Sequence, residues 1–347
     1  TVWIWSGLTQ RSKRYRLNRL PSGQKVQLNF LGLFFFFSVG AGTSFAQDSS
    51  GHIKPVQSIE LIADGYITSN TITNNFIRSL YAGDFIDNAL KEGVSGKISS
   101  ANRLGASSKL GIRYTFQSME GENQPVFSFS FFDRTNIDLK FSEDLFNTVF
   151  YGNKMYAGTT ASLGNFKLNF LRYQQLRFGW DWKGDFFHGS YGVAFSLLSG
   201  EQNTNVNALF ADMYTAVDGT FIDLYLKMKM QQTDTAKASF FAQNGMGLST
   251  DLYYELPYIA WKNPGKITFE VRDLGFIRWK NNSLHHSTDS VFHYEGVEVE
   301  DIFNLDSSSF AIDNVIDKNT SFERKRYTTN IPFTLDIHTK VNYGRHI

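Results

Sequence analysis

From Leu176 the chain alternates with a period of two, and this constrains its fold more than any other feature. Leu176, Phe178, Trp180 and Trp182 share one face, while Arg177, Gly179, Asp181 and Lys183 share the other. A helix, with its period of 3.6, cannot segregate those two sets. Lys183-Gly184-Asp185 reads as a tight turn. Phe187, Tyr191, Val193, Phe195 and Leu197 then return opposed to His188, Ser190, Gly192, Ala194 and Ser196, which makes a hairpin.

The pattern recurs along most of the chain. Leu110, Ile112, Tyr114 and Phe116 oppose Gly111, Arg113, Thr115 and Gln117, and Phe127, Phe129 and Phe131 oppose Ser128 and Ser130. Further on, Ile222 to Met230, Leu248 to Leu256, Ile267 to Val271 and Leu335 to Tyr343 alternate in the same way. About ten or eleven strands are legible, several near the 9 to 11 residues that cross an outer membrane. A soluble β-sandwich also alternates, but its strands average about 5 or 6 residues. Aromatic residues make up 16% of the chain, and pairs such as Trp180 and Trp182 or Tyr253 and Tyr254 sit near strand ends, as interfacial girdles require. The expectation is an all-β fold: an antiparallel transmembrane β-barrel of the outer-membrane type, with about 10–14 strands and a short N-terminal helical segment.

Export is expected from residues 26–47. Leu28, Phe30, Leu31, Leu33, Phe34 to Phe37 and Val39 form an apolar run of about 15 residues behind a basic stretch, and Ser44-Phe45-Ala46 suits cleavage before Gln47. Residues 1–46 are therefore set apart as upstream sequence and signal peptide, leaving 47–347 as the barrel. The localisation that follows is the bacterial outer membrane, with its lipid as a partner. Cysteine is absent, which removes disulfides, thiolate metal sites and lipid attachment at a new N-terminal cysteine. The formal charge of +1 provides no footprint for nucleic acid. The end of the chain, Arg345-His346-Ile347, lacks the aromatic residue that usually closes such barrels, so a missing closing strand and a truncated C-terminus are expected.

Two segments break the strand pattern. Residues 73–93 carry helical spacing, with Phe76, Leu80 and Tyr81 in one stripe, Phe85 opening a second, and Gly93 as a stop. They form either a plug in the lumen or a helix at the barrel rim. Residues 281–330, rich in acidic and then basic groups, read as one long extracellular loop.

Charges on the polar faces are assigned to the lumen: Arg113, Lys167, Arg177, Asp181, Lys183, Lys227, Lys229, Asp251, Glu255, Glu270 and Arg272. Placing a Lys or Arg in lipid at the bilayer midplane costs about 2–4 kcal/mol. They mix both signs, which favours an ion-paired, filled interior over a selective pore. His285, His286 and His293 match no standard zinc spacing and read as surface histidines, so no metal is assigned. His188 and Ser190 share a face of one strand but lack an activating third group, so no catalytic residue is assigned and no cofactor is expected.

The run Asp273-Leu274-Gly275-Phe276-Ile277-Arg278-Trp279, followed by Phe292 to Val297 and Asp301-Ile302-Phe303, resembles a family of outer-membrane β-barrel proteins of Bacteroidota, domain of unknown function 5723. Residues 71–85 and the Ala46-Gln47 junction look like the same family. The resemblance implies a barrel similar in architecture to the fatty-acid transporter class, and it supplies no catalytic residues. Three functions are ordered on these grounds: passage of small or hydrophobic molecules across the outer membrane, then a scaffold for other envelope proteins, then a barrel-wall hydrolase.

Overall fold

The computed structural model describes residues 56–99, 101–117, 125–184, 189–234, 242–260, 263–295 and 321–341. The expected signal peptide, His188 and residues 296–320 of the expected loop lie outside them. Among the described residues thirteen strands form one sheet in which every strand pair is antiparallel. They are β1 (Val56–Ser69), β2 (Asn102–Gln117), β3 (Val126–Phe141), β4 (Thr160–Ser162), β5 (Phe166–Lys183), β6 (Ser190–Thr215), β7 (Ile222–Gln232), β8 (Gly245–Ala260), β9 (Asn263–Trp279), β10 (Leu284–Tyr294), β11 (Ser321–Arg324), β12 (Tyr327–Asn330) and β13 (Thr334–Val341). No described helix is long and apolar enough to cross a membrane, which says nothing about strands.

The 26 residues of β6 set the length of the assembly. β7 runs back along its 204–215 half and β8 along its 190–200 half, so the two form one ribbon interrupted at 233–244. β9 and β10 return along that ribbon, and β11, β12 and β13 return along them in turn. The result is an up-and-down meander. No pairing among the described residues joins β1 to β13, so the sheet is not closed there.

The sheet is nevertheless strongly curled. Arg134 on β3 meets Asp273 on β9 at 2.9 Å, although β5, β6 and β8 stand between them in the strand order. Flat strands spaced at ~4.8 Å would hold those two backbones roughly 19 Å apart, beyond the combined reach of the two side chains. The polar face is therefore concave.

The convex face carries an exposed apolar band. Ile59, Tyr114, Phe129, Phe178 and Phe195 are direct cross-strand neighbours on five successive strands, and all five are exposed. On β8 the band runs from Leu248 to Leu256. Nine residues at ~3.3 Å make roughly 30 Å along the strand, and a ~40° tilt reduces this to about 23 Å, close to the ~25 Å of an outer-membrane belt.

Helices gather at one end of the meander. Thr73 caps α1 (Asn74–Ala82) by accepting from the Phe76 N–H, and Gly83 stops it at φ 69°. Asp87 caps α2 (Asn88–Ser95), which runs through Gly93 instead of stopping there, because Val94 is fully buried. Burying a valine recovers more than the ~1 kcal/mol that glycine costs a helix. α3 (Glu143–Tyr151) has Ser142 as its cap and Glu143 and Asp144 in its first turn. Phe76 packs on Phe146 and Phe150, in a cluster that includes Leu139, Phe141 and Phe166. Leu139 and Phe141 share a face of β3 with Phe127 and Phe129, so the helices pad the convex face. Residues 73–93 thus pack against the convex face at that end of the sheet. Of the four residues expected in a plug, only Phe76 is buried, and Leu80, Tyr81 and Phe85 are exposed.

The loop expected over 281–330 also needs correction. Residues 284–294 form β10, which pairs with β7 over its whole length, and 321–330 hold β11 and β12. Its strand signal is weak because Ser287, Asp289 and His293 face solvent while the buried set opposite them includes a polar residue, Thr288 beside Phe292.

Candidate site in the concave face

A β-bulge organises the middle of the concave face. Thr250 pairs with Leu274 and Leu252 with Val271, so Arg272 and Asp273 of β9 share a single partner, Asp251. Asp273 adopts φ 61°, a left-handed conformation that aspartate tolerates better than most residues. The extra residue flips the strand's parity. Before it Thr268, Glu270 and Arg272 point inward; after it Asp273, Gly275, Ile277 and Trp279 do, leaving Leu274 and Phe276 in the apolar band. The motif 273–279 is the stretch of β9 that follows the flip.

Asp273 is buried and fully engaged. Its carboxylate pairs with Arg134 and accepts from the Gln175 amide at 2.9 Å, and its N–H donates to Asp251 at 2.7 Å. Asp251 also pairs with Arg177 at 2.6 Å, Arg134 donates to Gln175, and Gln175 donates to Ser196. Lys109 lies over the Phe132 ring, 4.0 Å from its centre. Beside this network sits an apolar plug: Leu171, Tyr173, Leu198, Ile277, Trp279, Tyr327 and Ile331. Tyr327 stacks on Trp279, and its hydroxyl donates to Asn203 at 2.9 Å. Gly200 and Gly245 leave room for the Trp279 ring, since a Cβ on either would fall within 2.7 Å of it.

Between this floor and the hairpin end opens a chamber of about 770 Å³. Of the charges that the sequence assigns to the polar faces, Arg113, Arg177, Asp181, Asp251, Glu255 and Glu270 line it. Lys266 holds Glu255 at 2.7 Å, and Arg272 bridges Glu270 and Asp336 at 3.1 and 2.8 Å. The Lys183 side chain is outside the described set. Lys167, Lys227 and Lys229 lie away from the chamber, on the helical half; Lys227 pairs with Asp289 at 2.7 Å. The alternation alone does not single out Lys109, Arg134 or Gln175 as members of this network. The consecutive pair Phe131-Phe132 hides the parity that turns Arg134 inward.

The expected histidine groupings stay apart. His285 contacts Gln231 and the edge of Tyr327, while His293 hydrogen-bonds Asp223 and Glu295. His286, adjacent to His285, points to the opposite face. Among the described residues no three metal-ligating side chains converge. Ser190 lines the chamber at the start of β6, without a described histidine beside it.

A curled antiparallel meander with an exposed apolar band on its convex face and an ion-paired concave face defines the structural class. The chain belongs to the family of unknown function DUF5723, whose model matches residues 62–346. No curated protein and no solved structure matches it.

Proposed function

We propose that the chain is an outer-membrane β-barrel that binds and passes small molecules through a chamber closed at mid-height. The observation that carries this reading is the segregation of the two faces. Large apolar side chains are exposed in register across β1, β2, β3, β5, β6, β8 and β9, while Arg134, Arg177, Asp251 and Asp273 are withdrawn to the other side. A contiguous exposed apolar band of this extent demands a lipid or protein cover, and its height suits lipid. The chamber supplies a binding volume, and the plug of Trp279 and Tyr327 supplies a closed resting state. Purified full-length chain should float with phospholipid vesicles and migrate faster on a gel unheated than boiled. Remaining in the soluble fraction, with identical migration in both lanes, would remove the reading.

The filled floor favours one competing function, a scaffold without transport. Bilayer conductance separates the two. A transporter should show rare openings that become frequent when Trp279 is cut to alanine, whereas a scaffold should stay silent in both forms while folded.

A further inference from the structure

Sequence order mixes the inward charges, but cross-strand register sorts them by height. Arg103 on β2 lies directly opposite Lys140 on β3, and Lys140 lies directly opposite Lys167 on β5. Lys167 faces Asn207 on β6, which faces Lys229 on β7, which faces Ser287 on β10. All four cations share the concave face with Arg113, Arg134 and Arg177: β2, β3 and β5 are unshifted against one another over their paired lengths, and the β6 bulge is absorbed before Asn207. Arg103, Lys167 and Lys229 are exposed. None of the four has a carboxylate within ion-pair distance among the described residues. The carboxylates nearest in register are Asp138, one row inward from Lys140, and Asp289, which Lys227 already holds.

Like charges directly opposite one another on a sheet destabilise it. Three in succession, with a fourth beyond one asparagine, form an arrangement that folding alone does not favour. The other half of the interior is built differently, with each cation of the chamber set against a carboxylate. We infer that the row Arg103–Lys140–Lys167–Lys229 is an anion-binding collar at the helical mouth of the interior, recognising a small solute with two or more oxyanion groups. Cations on adjacent strands, about 5 Å apart, match the spacing of neighbouring oxyanions on one small molecule. Asn207 and Ser287 add neutral donors within the same row. The collar deepens the proposed function and rests on its assignment of the concave face to the barrel interior. It also explains a polarity along the passage: unpaired cations at the helical mouth, neutralised pairs in the middle, and paired charges around the chamber.

Calorimetric titration of the full-length chain in detergent micelles, at matched ionic strength, tests this with two probes. Inorganic pyrophosphate represents phosphate groups and citrate represents carboxylates. At least one should bind saturably, and the preferred probe identifies the oxyanion. The double variant Lys140→Gln/Lys167→Gln should lose at least tenfold in affinity, while Lys227→Gln should match the wild type. Without ligand, the double variant should unfold at the same or a higher temperature than the wild type, because a like-charge contact has been removed. That comparison separates a lost site from a lost fold. Absence of binding by either probe to the wild type, or equal binding by the double variant, would overturn the collar. Saturable binding by a chain that fails to float with vesicles would instead remove the membrane assignment and leave the collar standing.

Discussion

Arg134 and Asp273, 139 residues apart in sequence, meet at 2.9 Å across the concave face and tie β3 to β9 over three intervening strands. The contact exists because the bulge turns Asp273 inward at φ 61°. Two properties are therefore required at this position: tolerance of a left-handed backbone and a carboxylate. Asp273→Gly keeps the first and loses the second; Asp273→Ala loses both. Breaking a buried pair costs about 3–5 kcal/mol, and alanine adds about 1 kcal/mol for the left-handed backbone. Urea unfolding of the chain in micelles should rank wild type above Asp273→Gly and Asp273→Gly above Asp273→Ala. Alanine ranking equal to or above glycine would refute a role for the backbone.

The floor of the chamber provides a second test. A Cβ on Gly200 would stand 2.4 Å from the Trp279 ring, and the indole N–H is itself fixed by donation to Thr329 at 2.8 Å. Gly200→Ala should cost about 1–3 kcal/mol through overpacking. In a Trp279→Ala background the same substitution should cost much less, because the two ring atoms at 2.4 and 2.6 Å are gone and only Ile277 Cγ2, at 2.9 Å, remains close. A double-mutant cycle by thermal unfolding measures this coupling, and additive costs would mean that the glycine is not there for the ring.

The alternation that defines β2, β5, β8 and the 190–200 half of β6 is legible because no bulge interrupts its parity there. The inward placement of Arg113, Arg177, Asp251 and Glu255 follows from that pattern alone. Parity is lost where register changes. The bulge at Arg272 and Asp273 swaps the faces of the family motif, the bulge near Glu201 swaps those of β6, and Phe131-Phe132 masks Arg134. β10 gives a weak strand signal because three of the four residues on its exposed face, Ser287, Asp289 and His293, are polar and its buried face contains Thr288. The cation row is hidden for a different reason: it is a property of register between strands, and no single segment shows it.

The convex face should reject charge in proportion to depth. Phe195 lies in the exposed row with Phe178, whereas the next residue, Ser196, is buried and accepts from Gln175. Phe195→Arg near the midplane should cost about 2–4 kcal/mol in lipid. Phe195→Leu should be nearly neutral. Refolding yield into vesicles distinguishes them; equal yields would show that the band is not embedded.

The helical end supplies a pH test away from the band. Tyr156, in the short 3-10 turn Asn153–Tyr156, donates its hydroxyl to Asp144 at 2.9 Å, and Asp144 also accepts from the Ser162 N–H at 2.7 Å. Burial, aided by that hydrogen bond, pushes the Tyr156 hydroxyl up to about 12 from its ordinary 10. The protonated form is thus favoured in the folded chain. Its contribution is complete below pH 10 and is lost as pH rises through 10 towards 12, because the unfolded chain releases the proton first. The loss should be about 1 kcal/mol, since water at this partly open site screens the effect. Thermal unfolding at pH 9 and pH 11.5 should therefore show a steeper decline for the wild type than for Tyr156→Phe, which has no proton to lose. Parallel declines would mean that the hydroxyl titrates in the fold as it does in the unfolded chain, and that Asp144 holds α3 and β4 without it.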